Sequence, residues 1–292
     1  MRLRIATRRS PLALWQSEHV AARLRAHDPD CAIELVPILT EGDRILDRAL
    51  ADFGGKGLFL KELEEALLDG RADLAVHSLK DMPAKEPPGL MLAAFLPRED
   101  ARDALVSANG ASLGELPPGA RVGTSSPRRR AQLLMLRPDL EVVLMRGNVG
   151  TRLAKLDRGE CDALLLAYAG LKRLGLGERA SEILPVETMV PAAGQGIIAV
   201  ECRSEDQWLL ERLARLDDRE SRLAARAERA FTAALGGHCH RPLGAHARLQ
   251  EGQIELIAFA ASDDAPGRRE RLLGPSSAPE SLGQSLARLL RP

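Results

Sequence analysis

The sequence predicts an α/β protein of two related lobes, joined by a hinge that the chain crosses twice, with a small C-terminal α+β domain. Three observations carry this. Over the first two hundred residues, short apolar runs alternate with segments of helical period, the pattern of a mostly parallel sheet with helices on its faces. The stretch at 68–76 (Leu-Asp-Gly-Arg-Ala-Asp-Leu-Ala-Val) is echoed at 156–165 (Leu-Asp-Arg-Gly-Glu-Cys-Asp-Ala-Leu-Leu), each reading as helix end, glycine turn, aspartate and buried strand. From residue 218 the texture changes to a long Arg/Glu/Ala helix followed by strand-like segments.

Taken in order, residues 3–7 form the first strand. Ser10 and Pro11 supply an N-cap and a first helical position for a helix reaching about residue 27, with Leu12, Trp15, His19, Ala22 and Leu24 near one face. Residues 32–39 make a second strand, Gly54-Gly-Lys-Gly opens a helix over 59–68, and 73–76 is a third strand. Residues 120–122 end a further strand. Ser126 and Pro127 cap the helix that continues through 131–136, and the apolar run at 142–144 precedes a glycine turn. The polar stretch 97–102 marks one crossing between lobes, and the small residues of 191–196 mark the return, so that 197–202 rejoins the first sheet. Domain 1 therefore covers 1–97 and 197–217, domain 2 covers 102–190, and domain 3 covers 218–292. Domain 3 holds a helix to about residue 235, a loop at 236–242, strands at 245–249 and 254–260, and a final helix at 279–290.

Composition narrows the function. Apolar residues make up 45% of the 292, enough for globular folding, while 3% aromatics leave few rings to stack on nucleic-acid bases. Lys+Arg and Asp+Glu both total 41, so no global field draws in a polyanion, and nucleic acid is disfavoured as a partner. Six lysines stand against 35 arginines, the side chain whose planar fork suits carboxylates and phosphates. There is no signal-peptide pattern and no apolar run of membrane-spanning length. Four scattered cysteines (31, 161, 202, 239) without CxxC spacing read as reduced thiols of a cytosolic protein.

The arginines cluster where strands end. Arg128, Arg129 and Arg130 fall in the first turn of their helix, where the positive end of the dipole disfavours cations by ~0.3–1 kcal/mol each. Arg8 and Ser10 follow the first strand, Thr124 and Ser126 precede the arginine run, and Arg146 and Arg152 flank a glycine turn. Hydroxyls, helix N-terminal N–H groups and guanidinium forks together make an anion site, expected in the cleft between lobes. On these residues alone the anion is phosphate, nucleic acid or carboxylate. Lys80 and Asp81 lie in a loop fed by a buried strand, where Asp81 either handles a proton, holds a cationic N–H, or caps the turn before Pro83. Gly54–Gly57 lacks the GxxxxGK[ST] phosphate-loop pattern. His238-Cys239-His240 offers adjacent residues that suit tetrahedral zinc poorly, so no metal is expected. Cys239 follows two glycines on a loop, where a neighbouring His or Arg can favour thiolate, and on these residues it is either functional or incidental.

Together the segments resemble the porphobilinogen deaminase (hydroxymethylbilane synthase) family. The resemblance runs through Arg-Ile-Ala-Thr-Arg-Arg-Ser-Pro-Leu-Ala-Leu-Trp-Gln at 4–16, Gly-Gly-Lys-Gly-Leu-Phe at 54–59 and Ala-Val-His-Ser-Leu-Lys-Asp-Met-Pro at 75–83. It continues through Gly-Thr-Ser-Ser-Pro-Arg-Arg at 123–129, Leu-Met-Arg-Gly-Asn-Val-Gly-Thr-Arg-Leu at 144–153, Ala-Gly-Leu-Lys-Arg-Leu-Gly at 169–175 and Pro-Ala-Ala-Gly-Gln-Gly at 191–196. Where the family reads Gly-Gly-Cys, this chain reads Gly-Gly-His-Cys, with His238 in place of a glycine.

The resemblance implies two lobes like those of type II periplasmic binding proteins and a dipyrromethane cofactor held covalently by Cys239 in the third domain. It implies that Arg8, Arg128, Arg129, Arg146, Arg152 and Arg173 bind the acetate and propionate groups of the pyrroles, supplemented by Ser10, Gln16, Ser78, Lys80, Thr124, Ser126 and Gln195. Arg130 lies outside the matched motif and is expected in solvent. Asp81 matches the catalytic aspartate, which contacts pyrrole N–H groups and assists loss of ammonia and proton transfer. The implied enzyme is a cytoplasmic, monomeric transferase that condenses four porphobilinogen molecules head to tail on the cysteine-bound primer and releases a linear tetrapyrrole. The alternative is a non-catalytic two-lobed protein that captures an organic polyanion.

Overall fold

The computed structural model describes residues 2–40, 60–83, 85–236, 241–262 and 265–291, the side chains of 265 and 266 excepted. The Gly54–Gly57 loop and the His238-Cys239-His240 segment lie outside the described residues. The chain divides into two compact units, one of Met1–Arg98 with Ile197–Leu223 and the other of Glu99–Gly196 with Ala224–Pro292.

The first unit is built on a five-stranded sheet of β1 (Arg2–Arg8), β2 (Ala32–Ile38), β3 (Leu74–Ser78), β4 (Leu90–Phe95) and β10 (Ile198–Arg203), in the order β2-β1-β3-β10-β4. β1 runs parallel to β2 and β3, whereas β10, which arrives after the second lobe, is antiparallel to β3 and β4. The expected return of 197–202 to this sheet is therefore found. Both faces of the sheet are covered: Leu74 and Val76 enter one apolar cluster and Ala75 another. Burial on both faces accounts for the unbroken apolar runs in the sequence. The Pro11–His27 helix starts where its cap predicts, but its buried residues are Gln16, Ser17, Val20, Ala21 and Leu24. The face expected from Leu12, Trp15, His19 and Ala22 is thus displaced. Trp15 instead stacks on His19 near the surface, ring centroids 5.0 Å apart.

The second unit repeats this plan. Its five strands are β5 (Asp103–Ser107), β6 (Arg121–Gly123), β7 (Glu141–Val143), β8 (Ala163–Ala167) and β9 (Glu182–Leu184), in the order β7-β6-β8-β5-β9. β5 is antiparallel to β8 and β9, and β6 is parallel to β7 and β8. Ile5 of β1 pairs with Leu74, as Val122 of β6 pairs with Ala163. The sequence echo marks a matching clamp in each sheet. The Arg4 N–H donates to the Asp73 carboxylate at 2.8 Å and its guanidinium returns to the same carboxylate. Arg121 does the same with Asp162, its N–H at 2.7 Å.

Also in the second unit, Ala224–Pro292 carries most of the Arg219–Ala234 helix, the antiparallel sheet β11 (Leu243–Gln250), β12 (Gln253–Ser262) and β13 (Ala265–Pro275), and the Pro279–Leu289 helix. Glu251 and Gly252, at φ 49° and 80°, form the two-residue turn joining β11 to β12, the left-handed backbone that such hairpins require. β13 has no counterpart in the sequence reading. It is an edge strand whose charges hide the apolar signal, with Arg271 bonded across to Glu255 at 2.8 Å. Glu228 is buried and accepts from the N–H groups of Gly194 and Ala247 at 2.6 and 2.7 Å, tying the 191–196 segment to β11.

Gly283 is where the last helix meets the Arg219–Ala234 helix: a Cβ there would lie 2.2 Å from the Ala227 carbonyl oxygen and 2.8 Å from the Phe231 nitrogen. Because backbone cannot yield as a side chain can, Gly283→Ala is expected to cost about 2 kcal/mol despite the better helix propensity of alanine. Urea unfolding followed by circular dichroism checks this, and a variant as stable as the parent contradicts the close packing.

Candidate functional site

In the first unit the polar residues gather at the carboxyl ends of β1 and β3. Arg8 closes β1, and Ser10 caps the helix behind it, accepting from the Ala13 N–H at 3.4 Å. Gln16, buried one turn into that helix, donates through Nε2 to Ser78 Oγ at 2.8 Å, so the helix fixes the hydroxyl at the end of β3. A single 3-10 turn, Leu79–Asp81, follows at once and presents Lys80 and Asp81. It is anchored at both ends: the Leu79 N–H donates to the Ile197 carbonyl at 3.0 Å, and the Met82 N–H donates to the Leu79 carbonyl at 3.0 Å. The turn that carries Asp81 is thus tied to residue 197, just before β10, and closed by its own internal bond.

The second unit carries the arginines. Thr124 is buried and accepts from the Ser126 N–H at 3.1 Å, while Ser126 caps the Pro127–Leu136 helix by accepting from the Arg129 N–H. Arg128 and Arg129 are both buried, and the anion they meet is Asp103, the fully buried first residue of β5. Arg128 Nη1 donates to Asp103 Oδ2 at 2.7 Å and to the Val190 carbonyl at 2.7 Å. Arg129 donates to Asp103 Oδ1 through Nε and Nη2 at 3.2 and 2.8 Å, and through Nη1 to the Leu165 carbonyl. Gln195 adds a fourth bond, Nε2 to Asp103 Oδ1 at 2.8 Å. Arg130 is exposed, as expected. Asp103 was missed by sequence reasoning. Its one signal is a lone carboxylate at the head of an otherwise uncharged run, Asp-Ala-Leu-Val-Ser at 103–107.

Three more arginines follow neighbouring strands. Arg146 comes after β7, and its Nη1 is buried with no hydrogen-bond partner among the described residues. A buried unmade donor costs about 1–3 kcal/mol, which is tolerated where a ligand acceptor completes it. Arg152, in the helix capped by Asn148, is steadied by donating Nε to the Gly147 carbonyl at 2.8 Å. Arg173 ends the short helix after β8 and donates Nη2 to the Gly196 carbonyl at 2.6 Å. Burial pulls its guanidinium down to about 10, against the raising effect of the Glu99 carboxylate. Cys239 lies outside the described residues. The other three cysteines are buried and unbonded, and burial pushes the Cys202 thiol up to about 12.

Burial alone would raise the Asp103 pKa, but the charges and hydrogen bonds of Arg128 and Arg129 hold it well below the ordinary 3.8. A carboxylate depressed in the folded state stabilises the protein above its unfolded value and loses that contribution as pH falls through the folded one. The stability advantage of the parent over Asp103→Asn is therefore expected to persist at pH 5 and above and to shrink only below about pH 4. Guanidinium unfolding across that range checks it, and an advantage that disappears near neutrality contradicts the assignment.

Residues 3–211 match the family model described as porphobilinogen deaminase, dipyromethane cofactor binding domain, and residues 222–291 match the porphobilinogen deaminase C-terminal domain. A porphobilinogen deaminase of Stenotrophomonas maltophilia (strain K279a) is 55% identical over 99% of this chain and 95% of its own length. One of Syntrophotalea carbinolica is 51% identical over 99% of this chain and 92% of its own. Among solved structures, a periplasmic sulfonate-binding protein of Methylobacillus flagellatus KT is 14% identical, with a TM-score of 0.41 over 80% of this chain and 69% of that one. The chain belongs to the porphobilinogen deaminase family.

Proposed function

We propose that the protein is a transferase that condenses four porphobilinogen molecules head to tail on a dipyrromethane primer bound through Cys239, then releases the linear tetrapyrrole by hydrolysis. The observation that carries this reading is the placement of the matched residues. Acid–base groups stand at the strand ends of one α/β sheet, arginines stand at those of its duplicate, and the family model spans both. The buried, unpartnered Nη1 of Arg146 supports the fit, because a group rich in carboxylates offers the acceptor that donor lacks. When bound, the dipyrromethane supplies a nucleophilic pyrrole α-carbon on which the chain is extended.

The residues of the chain divide the work. Arg8, Arg146, Arg152 and Arg173, with Arg128 and Arg129, hold acetate and propionate groups, and Ser10, Gln16, Ser78, Lys80, Thr124, Ser126 and Gln195 order them or complete their hydrogen bonds. The Asp81 carboxylate accepts from the pyrrole N–H of the substrate. There it opposes the positive charge that develops as the aminomethyl C–N bond breaks and ammonia leaves. Asp81 would also take up the proton that each addition releases, once the leaving ammonia has gone. The three described cysteines are buried away from a large ligand, and burial raises the thiols of Cys161 and Cys202, which favours Cys239 for the attachment. The reading keeps three domains, 1–97 with 197–217, 102–190 and 218–292, in a cytoplasmic, monomeric enzyme.

Two measurements test it. Intact protein from a porphyrin-producing host is expected to carry the extra mass of two pyrrole units, absent from Cys239→Ser; unmodified parent protein sinks the cofactor assignment. Asp81→Ala is expected to keep its fold but lose turnover of porphobilinogen by at least about a hundredfold, the scale of a lost general acid–base. Near-normal turnover removes Asp81 from the chemistry.

A further inference from the structure

The two lobes provide an internal control on the arginine fork. The clamps Arg4–Asp73 and Arg121–Asp162 bring β1 and β3 into register with β6 and β8. Asp103 pairs with Ala167 at the end of β8, as Ile198 pairs with Ser78 at the end of β3, so Asp103 and Ile198 hold the same place. The capping sequence Ser-Pro-Arg-Arg at 126–129 likewise corresponds to Ser-Pro-Leu-Ala at 10–13. Gln132 and Gln16, six residues beyond each capping serine, are both buried. One lobe thus has two arginines with an aspartate, and the other has apolar residues at all three places. The aspartate and the arginines form one device.

The hydrogen bonds show what the device leaves open. Asp103 Oδ2 takes Arg128, and Oδ1 takes Arg129 and Gln195. Arg128 uses only Nη1, so its Nε–Nη2 edge, the side that matches a carboxylate in bidentate geometry, makes no hydrogen bond among the described residues. Two guanidinium charges and one carboxylate leave a net charge of one. We infer that Asp103 is a positioning residue: it fixes Arg128 and Arg129 so that the pair takes a single ligand carboxylate, on the Nε–Nη2 edge of Arg128. This rests on the porphobilinogen deaminase reading and adds to it a residue and a stoichiometry. Gln132 and Gln195 hold the frame, Gln132 through both the N–H and carbonyl of Val190, and Gln195 through the Ala101 carbonyl.

The test uses the full chain with Asp103→Asn, Asp103→Ala and Asp103→Glu, each checked by thermal unfolding and intact mass before kinetics. Asp103→Asn is expected to raise KM for porphobilinogen about tenfold, while kcat of the adduct-bearing fraction falls less than about threefold. In Asp103→Ala, acetate at fixed ionic strength is expected to lower KM again where chloride does not, since it returns a carboxylate to the vacated place. Asp103→Glu keeps the charge and so the fold, but moves the fork by one methylene; it is expected to raise KM as well. A purely structural carboxylate shifts the unfolding midpoint and leaves KM and the acetate effect untouched. An inactive parent chain overturns the enzyme reading and this inference together. An active parent whose KM is unchanged in Asp103→Asn and Asp103→Glu overturns the inference alone.

Discussion

Two guanidinium groups at the positive end of a helix and out of water need an anion, and the arrangement of the second unit follows from supplying one. Desolvating each ion costs several kcal/mol, recovered only when the counter-charge is close and the remaining donors and acceptors are satisfied. The structure meets each condition. Asp103 lies 2.7 and 2.8 Å from the two arginines, and backbone carbonyls of Val190 and Leu165 take further protons. The carboxylate comes from the first residue of the strand that enters this sheet, and Gln195 from the segment that leaves it. The outgoing and returning connections are thereby pinned to one buried charge.

The two sheets share one backbone plan and differ in the residues that stand just past their strand ends. Strand order, the antiparallel fourth strand, the Arg–Asp clamp and the Ser-Pro cap are common to both. These features set backbone geometry. The residues just past the strand ends differ instead: Ser78, Lys80 and Asp81 in one lobe stand where Ala167, Ala169 and Gly170 stand in the other. The arginine pair shows the reverse division. Loops beyond the carboxyl ends of strands are free to diverge because the sheet beneath them does not depend on their side chains.

The C-terminal sheet illustrates a different dependence. Glu228 is a buried carboxylate that accepts from two backbone N–H groups, of Gly194 and Ala247, and so couples a glycine-rich loop to a strand far along the chain. Gly244 lies close by, where a Cβ would come within 2.8 Å of the Val190 carbonyl. Here a small residue and a buried acid do together what an apolar interface does elsewhere, at the segment that also holds Gln195.

What the sequence determined by itself is local or periodic. Ser126 and Pro127 announce their helix because capping needs only the next three residues. The Asp73 and Asp162 echo announces the duplication because each sheet folds the same way. The motifs from Arg8 to Gln195 were enough to identify the family. Tertiary structure decided the rest. The buried face of the first helix turns on what packs against it, so Trp15 is left near the surface and Gln16 goes inside to meet Ser78. β13 is a strand because β12 pairs with it, whatever its charges suggest. Asp103 is the anion for arginines 25 and 26 residues later, a partnership made by strand order and burial rather than by spacing. Capping and periodicity act over a few residues, whereas a buried charge finds its partner only when the sheet brings distant segments together.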